Sequence, residues 1–267
     1  MRKFILWTVI ASFFFSCDPD QIETITDVDS TTDHSSAQSE FDDVITVVEQ
    51  ALQERRLFQK TDDIDSLCAE ITGNQNDSLI IDFGEGGCFH KGRLRKGRLL
   101  IHYTGPYLRA GTVVSTTLEN YEVNGVRIEG KEIVTNQGMN DEGQWRFKVE
   151  VINGQLTYPT GEIATWESTR FRMLIDEGTS LLFDGTYAIY GTATGINRSG
   201  RAYTVSIDET TPLIIHIPCA LTTRLPQEGI LTIIPDGLTP RVIDYGDGEC
   251  DTSISVSVDS KSIQLDL

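Results

Sequence analysis

"WRFKVEVINGQLTY", residues 145–158, decides the fold class. Trp145, Phe147, Val149 and Val151 alternate with Arg146, Lys148 and Glu150. A period of two puts the apolar side chains on one face of an extended strand and the charges on the other. Asn153-Gly154 follows, a dipeptide suited to a type I′ turn because both residues tolerate positive φ. The stretch therefore predicts a β-hairpin with one buried and one wet face.

The same device recurs outward in both directions. "NYEVNGVRIEG" (120–130) predicts a turn at Asn124-Gly125, and "GTATGINRSGRAYTVSI" (191–207) a looser one around Asn197 to Gly200. "SISVSVDSKSIQLDL" (253–267) places Ile254, Val256 and Val258 on one side, then returns with Ile263, Leu265 and Leu267. From residue 79 onward no strand–helix alternation appears, which argues against a parallel sheet. The fold class is mainly β, an antiparallel multi-stranded sheet arranged as a sandwich or as one extended sheet.

One segment carries helical period. In "SEFDDVITVVEQALQERRLF" (39–58) Phe41, Val44, Ile45, Val48 and Leu52 form a stripe at three- and four-residue spacing. Ser39 can cap the first turn, Asp42 and Asp43 sit at its positive end, and Arg55 and Arg56 sit near its negative end. The stripe predicts packing on the sheet. Its acidic polar face lacks the Lys and Arg of membrane-surface helices.

Ahead of it, "MRKFILWTVIASFFFSC" puts Arg2 and Lys3 before an apolar run too short to span a bilayer, which is signal-peptide order over residues 1–16. Ser16-Cys17 resembles the lipobox of bacterial lipoproteins, which implies diacylation of Cys17. Residues 18–43 then hold nine acidic residues and no Lys or Arg, so 17–38 reads as a disordered tether and 39–267 as one β-rich domain with its helix first.

The formal net charge is −18, which disfavours nucleic acid because phosphate neutralisation needs a basic field. The 39 % hydrophobic content is ample for one sizeable core. Beyond Cys17 four cysteines remain, Cys68, Cys88, Cys219 and Cys250, which in an exported chain read as disulfides with three connectivities. "LIIDFGEGGC" (79–88) and "RVIDYGDGEC" (241–250) repeat one turn: apolar, Asp, aromatic, Gly, acid, Gly, any residue, Cys. Both cysteine segments open on Cys-Ala and close on this turn. The repeat selects Cys68 with Cys88 and Cys219 with Cys250. Asp82 and Asp244 are suited to accept N–H groups that the bend leaves free.

Three constellations carry candidate chemistry. Asp244, Asp247, Glu249 and Asp251 crowd four carboxylates into eight residues, three at the alternate spacing of hard-ion loops, and make a candidate calcium site. Against it, no carboxylate closes a twelve-residue loop. "KGRLRKGR" brings together Lys91, Arg93, Arg95, Lys96 and Arg98, a candidate anion site for a glycan or phosphate. Pairing with the chain's own carboxylates is the competing reading. In "ATWESTRFR", Trp166, Ser168, Arg170 and Arg172 share a strand face, as an aromatic and cations do in sugar sites or in a packing ladder. HExxH, GxSxG and phosphate-cradling glycine loops are absent, and the four histidines show no ligand spacing. No residue is assigned a catalytic role and no cofactor is expected.

"IDYGDGECD", "RKGRLLIHYTG", "NYEVNGVRIEGKEIVTNQG" and "ATWESTRFR" together resemble a family of uncharacterised lipoproteins of Gram-negative bacteria, over most of residues 60–267. The last hairpin turns on Asp259-Ser260-Lys261 where that family usually has Asn-Gly. The resemblance implies an outer-membrane or cell-surface protein, on the periplasmic or extracellular face. The expectation is a lipid-anchored, non-catalytic envelope protein that binds a glycan or a protein partner. A glycoside-active enzyme is the alternative, because glycosidases need only two facing carboxylates. A lipid carrier would need a dry apolar groove between helix and sheet.

Overall fold

A computed structural model of the chain describes residues 28–56, 67–74, 77–178 and 184–267. The leader, Cys17 and the first part of the expected tether lie outside these residues, as do Leu57 and Phe58. Helix α1 (Asp29–Arg56) comes first. It is followed by β1 (Glu70–Thr72), β2 (Ser78–Asp82), β3 (Cys88–His90), β4 (Arg93–Tyr103), β5 (Val113–Val123), β6 (Val126–Met139), β7 (Trp145–Thr157) and β8 (Ile163–Asp176). Then come β9 (Thr186–Ile196), β10 (Ala202–Ile207), β11 (Leu213–His216), the short helix α2 (Ile217–Thr223), β12 (Glu228–Pro235), β13 (Arg241–Asp247), β14 (Ser253–Val258) and β15 (Lys261–Asp266).

The fifteen strands make one antiparallel sheet in the order β1-β2-β4-β5-β6-β7-β8-β9-β10-β12-β13-β14-β15, with β3 beside β4 and β11 between β9 and β12. The mainly-β, antiparallel expectation holds in its extended-sheet form. Asn124-Gly125 joins β5 to β6 with φ of 51° and 85°, the double positive φ that a type I′ turn demands. Residues 197–201 join β9 to β10, and Asp259-Ser260 joins β14 to β15.

Asn153-Gly154 does not turn the chain. Both residues lie inside β7, at a register shift between Val151 and Gly154, and the chain reverses only at 158–162. The reason is tertiary. Across the ladder Gly130 has φ of 128°, and a Cβ on it would come within 2.9 Å of Asn153 O, so β6 and β7 are bulged at the same level. A Cβ on Gly154 would lie 2.3 Å from Trp166 O and 3.2 Å from the Phe41 ring. Gly97 makes the corresponding break in β4, opposite Asn120 in β5. Aligned bulges increase twist and bend long strands.

The bend wraps the sheet around α1. Arg93 on β4 and Tyr245 on β13 both hydrogen-bond this helix, to Glu40 and Ser35. Eight strand spacings separate β4 from β13 along the sheet, about 38 Å if it were flat, against a helix diameter of roughly 10–12 Å. The inner face is therefore concave and α1 fills it, with Phe41, Val44, Ile45 and Val48 buried as the stripe predicts.

α1 begins ten residues before the expected start at Ser39. Residues 29–38, read as tether, are helix, and Ser30, Asp33, His34 and Gln38 are buried. Local composition argues for disorder because it offers little apolar surface. What orders the segment is polar complementarity supplied by strands far along the chain, described below.

Both predicted disulfides are present, Cys68–Cys88 and Cys219–Cys250, each with Cα atoms 5.7 Å apart. The first ties the segment before β1 to β3. The second ties α2 to the loop after β13, so the two staples sit toward opposite ends of the sheet. In the repeated turn, Asp82 Oδ1 accepts Gly84 N–H at 2.8 Å and Asp244 Oδ1 accepts Gly246 N–H at 2.9 Å, the predicted role of each aspartate.

Candidate binding face

Within its apolar core the inner side of the sheet carries a set of arginines. β4 presents Arg93 and Arg95, β8 presents Arg170 and Arg172, and Arg198 follows β9. Each meets a carboxylate of α1. Arg93 Nη1 is 2.7 Å from Glu40 Oε2, and Arg95 grips Asp43 with both Nε and Nη2, at 3.0 and 2.6 Å. Arg170 Nη2 reaches Asp42 Oδ1 at 3.0 Å, Arg172 Nη1 reaches Glu49 Oε1 at 2.7 Å, and Arg198 Nε reaches Asp33 Oδ1 at 2.6 Å. The helix and the sheet are joined by charge-assisted hydrogen bonds in a region largely closed to water, where such bonds are strong and a missing partner is costly.

This disposes of the anion site as a unit. Arg93 and Arg95 are buried and already hold Glu40 and Asp43, while Arg98 pairs with Glu119 at the surface, and Lys91 stands exposed in the β3–β4 turn. The strand's alternation sends 93 and 95 inward and cannot gather the five cations on one accessible face. Trp166, Ser168, Arg170 and Arg172 do share a face, as predicted. That face looks inward: Trp166 is 0 % exposed, stacks on Phe41 with centroids 5.5 Å apart, and donates Nε1–H to His34 Nδ1 at 3.1 Å.

Burial and the nearby Arg170 cation push the His34 pKa down to about 3, so its ring is neutral and serves as an acceptor. Burial raises the carboxyl groups of Asp33, Glu40 and Glu49 above their ordinary values, against the pull of their arginine partners. Glu132 on β6 is pushed well above the usual carboxylate range by burial and by the Asp42 carboxylate. Its Oε1 has no hydrogen-bond partner.

Between α1, α2 and the inner face of the sheet a cavity of about 50 Å³ remains, lined mainly by apolar side chains such as Ile45, Ile215, Ile217 and Leu221, with Asp42 and Arg93 among its polar residues. That is room for about three or four waters and not for an acyl chain. Among the described residues the helix–sheet interface combines the buried apolar stripe of α1 with ion pairs, unlike the dry apolar groove of a lipid carrier.

At the second repeated turn, Asp244, Asp247, Glu249 and Asp251 line one shallow pocket with Ser253, Ser255 and Gln264. Asp251 Oδ1 accepts Ser253 N–H, as Asp244 accepts Gly246 N–H, so two of the four carboxylates are engaged by backbone. Among the described residues no three His, Cys, Asp or Glu side chains converge to hold a metal ion.

A much larger open concavity lies on the other side of the sheet. Outward residues of β7, β8, β9, β10 and β12 form a groove of about 980 Å³. Its polar lining includes Gln155, Thr165, Glu167, Thr194, Thr204 and Asp236, and its apolar lining includes Ile196, Ala202, Ile234 and Leu238. Among the described residues neither Lys nor Arg lines it. The ladder aligns four of these side chains in a row: Glu167, Thr194, Thr204 and Ile234 are successive cross-strand partners. Glu167 Oε1 also accepts Asn153 N–H at 3.1 Å, so the β7 bulge and the groove are one construction. Sequence reading missed the groove because its residues are spread over five strands. The available signal was Ile196 and Ile234, apolar residues at outward positions, 46 % and 44 % exposed.

No protein-family model, curated protein or solved structure matches the chain.

Proposed function

We propose that this chain is a lipid-anchored, non-catalytic protein of the bacterial envelope, attached at the outer membrane through Cys17, that binds a neutral glycan in the outer groove of β7–β12. The observation that carries the reading is the groove's lining. The hydroxyls of Thr165, Thr194 and Thr204, the Gln155 amide and two carboxylates are suited to hydrogen-bond sugar hydroxyls, while Ile196 and Ile234 offer apolar patches for C–H faces. An anionic ligand is disfavoured by Glu167, Asp236 and the net charge of −18. The leader, the Ser16-Cys17 junction and the lipoprotein resemblance support the location.

The test is titration of the purified protein with neutral and anionic envelope oligosaccharides. Thr204→Arg should abolish binding of a neutral glycan by filling the groove, and Thr117→Arg on the outer side of β5 should not. Equal binding by both variants, or binding of anionic glycans alone, overturns the reading. Glu167 and Asp236 line the same groove, which favours glycoside hydrolysis as the second reading. Recovery of shortened oligosaccharide would select it.

A further inference from the structure

The two edges of the sheet are finished differently. β1 is three residues long and begins with Glu70, so it offers little template to another strand. β15 is six residues long, has no proline, and among the described residues pairs only with β14. Its charges, Lys261 and Asp266, sit at its two ends, leaving Ser262 to Leu265 uncharged.

The core also runs out there. On β14, Ile254 and Val256 are buried, each 1 % exposed, whereas their cross-strand partners Leu265 and Ile263 on β15 are only partly covered. Among the described residues the inner face ends in a half-open apolar row beside a ladder of N–H and C=O groups that no other described strand pairs.

That row is self-complementary. If two copies of β15 are related by a two-fold axis through Gln264, Ile263 faces Leu265 of the second copy, and Gln264 faces Gln264. Ser262 then faces Asp266, a hydroxyl opposite a carboxylate, as Ser253 already meets Asp266 within the chain at 2.8 Å. Inner-face residues meet inner-face residues, as antiparallel pairing requires, and a slip by one would set Ile263 and Leu265 against polar partners. Pairing β15 with β1 of another copy would instead use half of its length and generate open filaments.

We propose that β15 is a homodimerisation edge, pairing antiparallel with β15 of a second copy about Gln264 to continue the sheet across two chains. The inference is independent of the glycan groove, which lies on the outer side of other strands.

The experiment uses the full chain extracted in detergent, with Gln264→Cys and, as control, Thr169→Cys on the outer face of β8. Mild oxidation should convert Gln264→Cys into a disulfide-linked dimer while Thr169→Cys remains unlinked. The unmodified chain should sediment as a dimer, and Ile263→Lys should shift it to the monomer mass with both native disulfides intact. A monomer for the unmodified chain, higher oligomers in place of a dimer, or no more linkage at Gln264→Cys than at the control, overturns the proposal.

Discussion

Arg172 on β8 and Glu49 on α1 form a buried ion pair, Nη1 to Oε1 at 2.7 Å, in which the guanidinium also lies 3.5 Å from the centroid of the Tyr187 ring and Tyr107 O–H donates to the same carboxylate oxygen at 2.5 Å. Arg172→Leu leaves the Glu49 carboxyl in the interior without its cation, which should cost about 3–5 kcal/mol in urea unfolding. Arg98→Leu breaks only the exposed pair with Glu119 and should cost about 0–1 kcal/mol. Similar losses in the two variants would mean that the helix–sheet ion pairs are not buried as described.

Glu132 gives the pH dependence a sign. Its folded-state pKa is raised well above 4.5, chiefly by burial. A group with a raised folded pKa stabilises fully below its unfolded pKa, and that contribution is lost as pH rises through the folded pKa. Glu132→Gln removes the titration. Plotted as melting temperature against pH, the difference between variant and parent should be flat below about pH 4.5 and then grow in the variant's favour as the pH rises. A buried amide adds a constant offset without changing this slope. Parallel curves across the range would contradict the raised folded-state pKa of Glu132.

Gly154→Ala tests the bulge that bends β7. The added methyl meets Trp166 O, Val151 and the Phe41 ring together, so neither backbone nor helix can yield cheaply. A loss of about 1–3 kcal/mol is expected, as for overpacking of a tight core site. Gly143→Ala should be milder: no atom stands near its added methyl, so only the positive φ of 80° opposes it. Thermal unfolding of the pair measures both, and equal effects would remove the packing argument.

The sequence announced the strands because their signals are local. Val126, Ile128 and the Asn124-Gly125 turn need only nearest neighbours to specify a hairpin, and the two Cys-Ala openings with their shared turn were enough to pair the cysteines. Asn153-Gly154 carried the same local signal and made a bulge, because Gly130 and Phe41 act on it from other elements. Residues 29–38 failed for the same reason. Asp33 looks like a solvated charge until Arg198 is brought to it by the curl of the sheet. The inward direction of Arg93 and Arg95 was hidden likewise, since alternation fixes which residues share a face but not which face is covered.

The staples should each stabilise measurably. Cys219→Ala with Cys250→Ala frees a 31-residue separation and Cys68→Ala with Cys88→Ala a 20-residue one. Each double variant should lose about 3–4 kcal/mol in chemical unfolding, the longer loop slightly more, because the cross-link restricts the unfolded chain. A loss below about 1 kcal/mol in either would place that disulfide outside the cooperative unit.

The central claim is that residues 29–52 are a helix enclosed by the curled sheet, which leaves ligands to be met on the outer face. Amide hydrogen exchange followed by mass spectrometry measures this directly. The account predicts that peptides covering Ser30 to Ala51 exchange as slowly as those of β8, opening only with the whole domain. Exchange of Ser30 to Gln38 at the rate of an unstructured acidic chain, with β8 still protected, would contradict it.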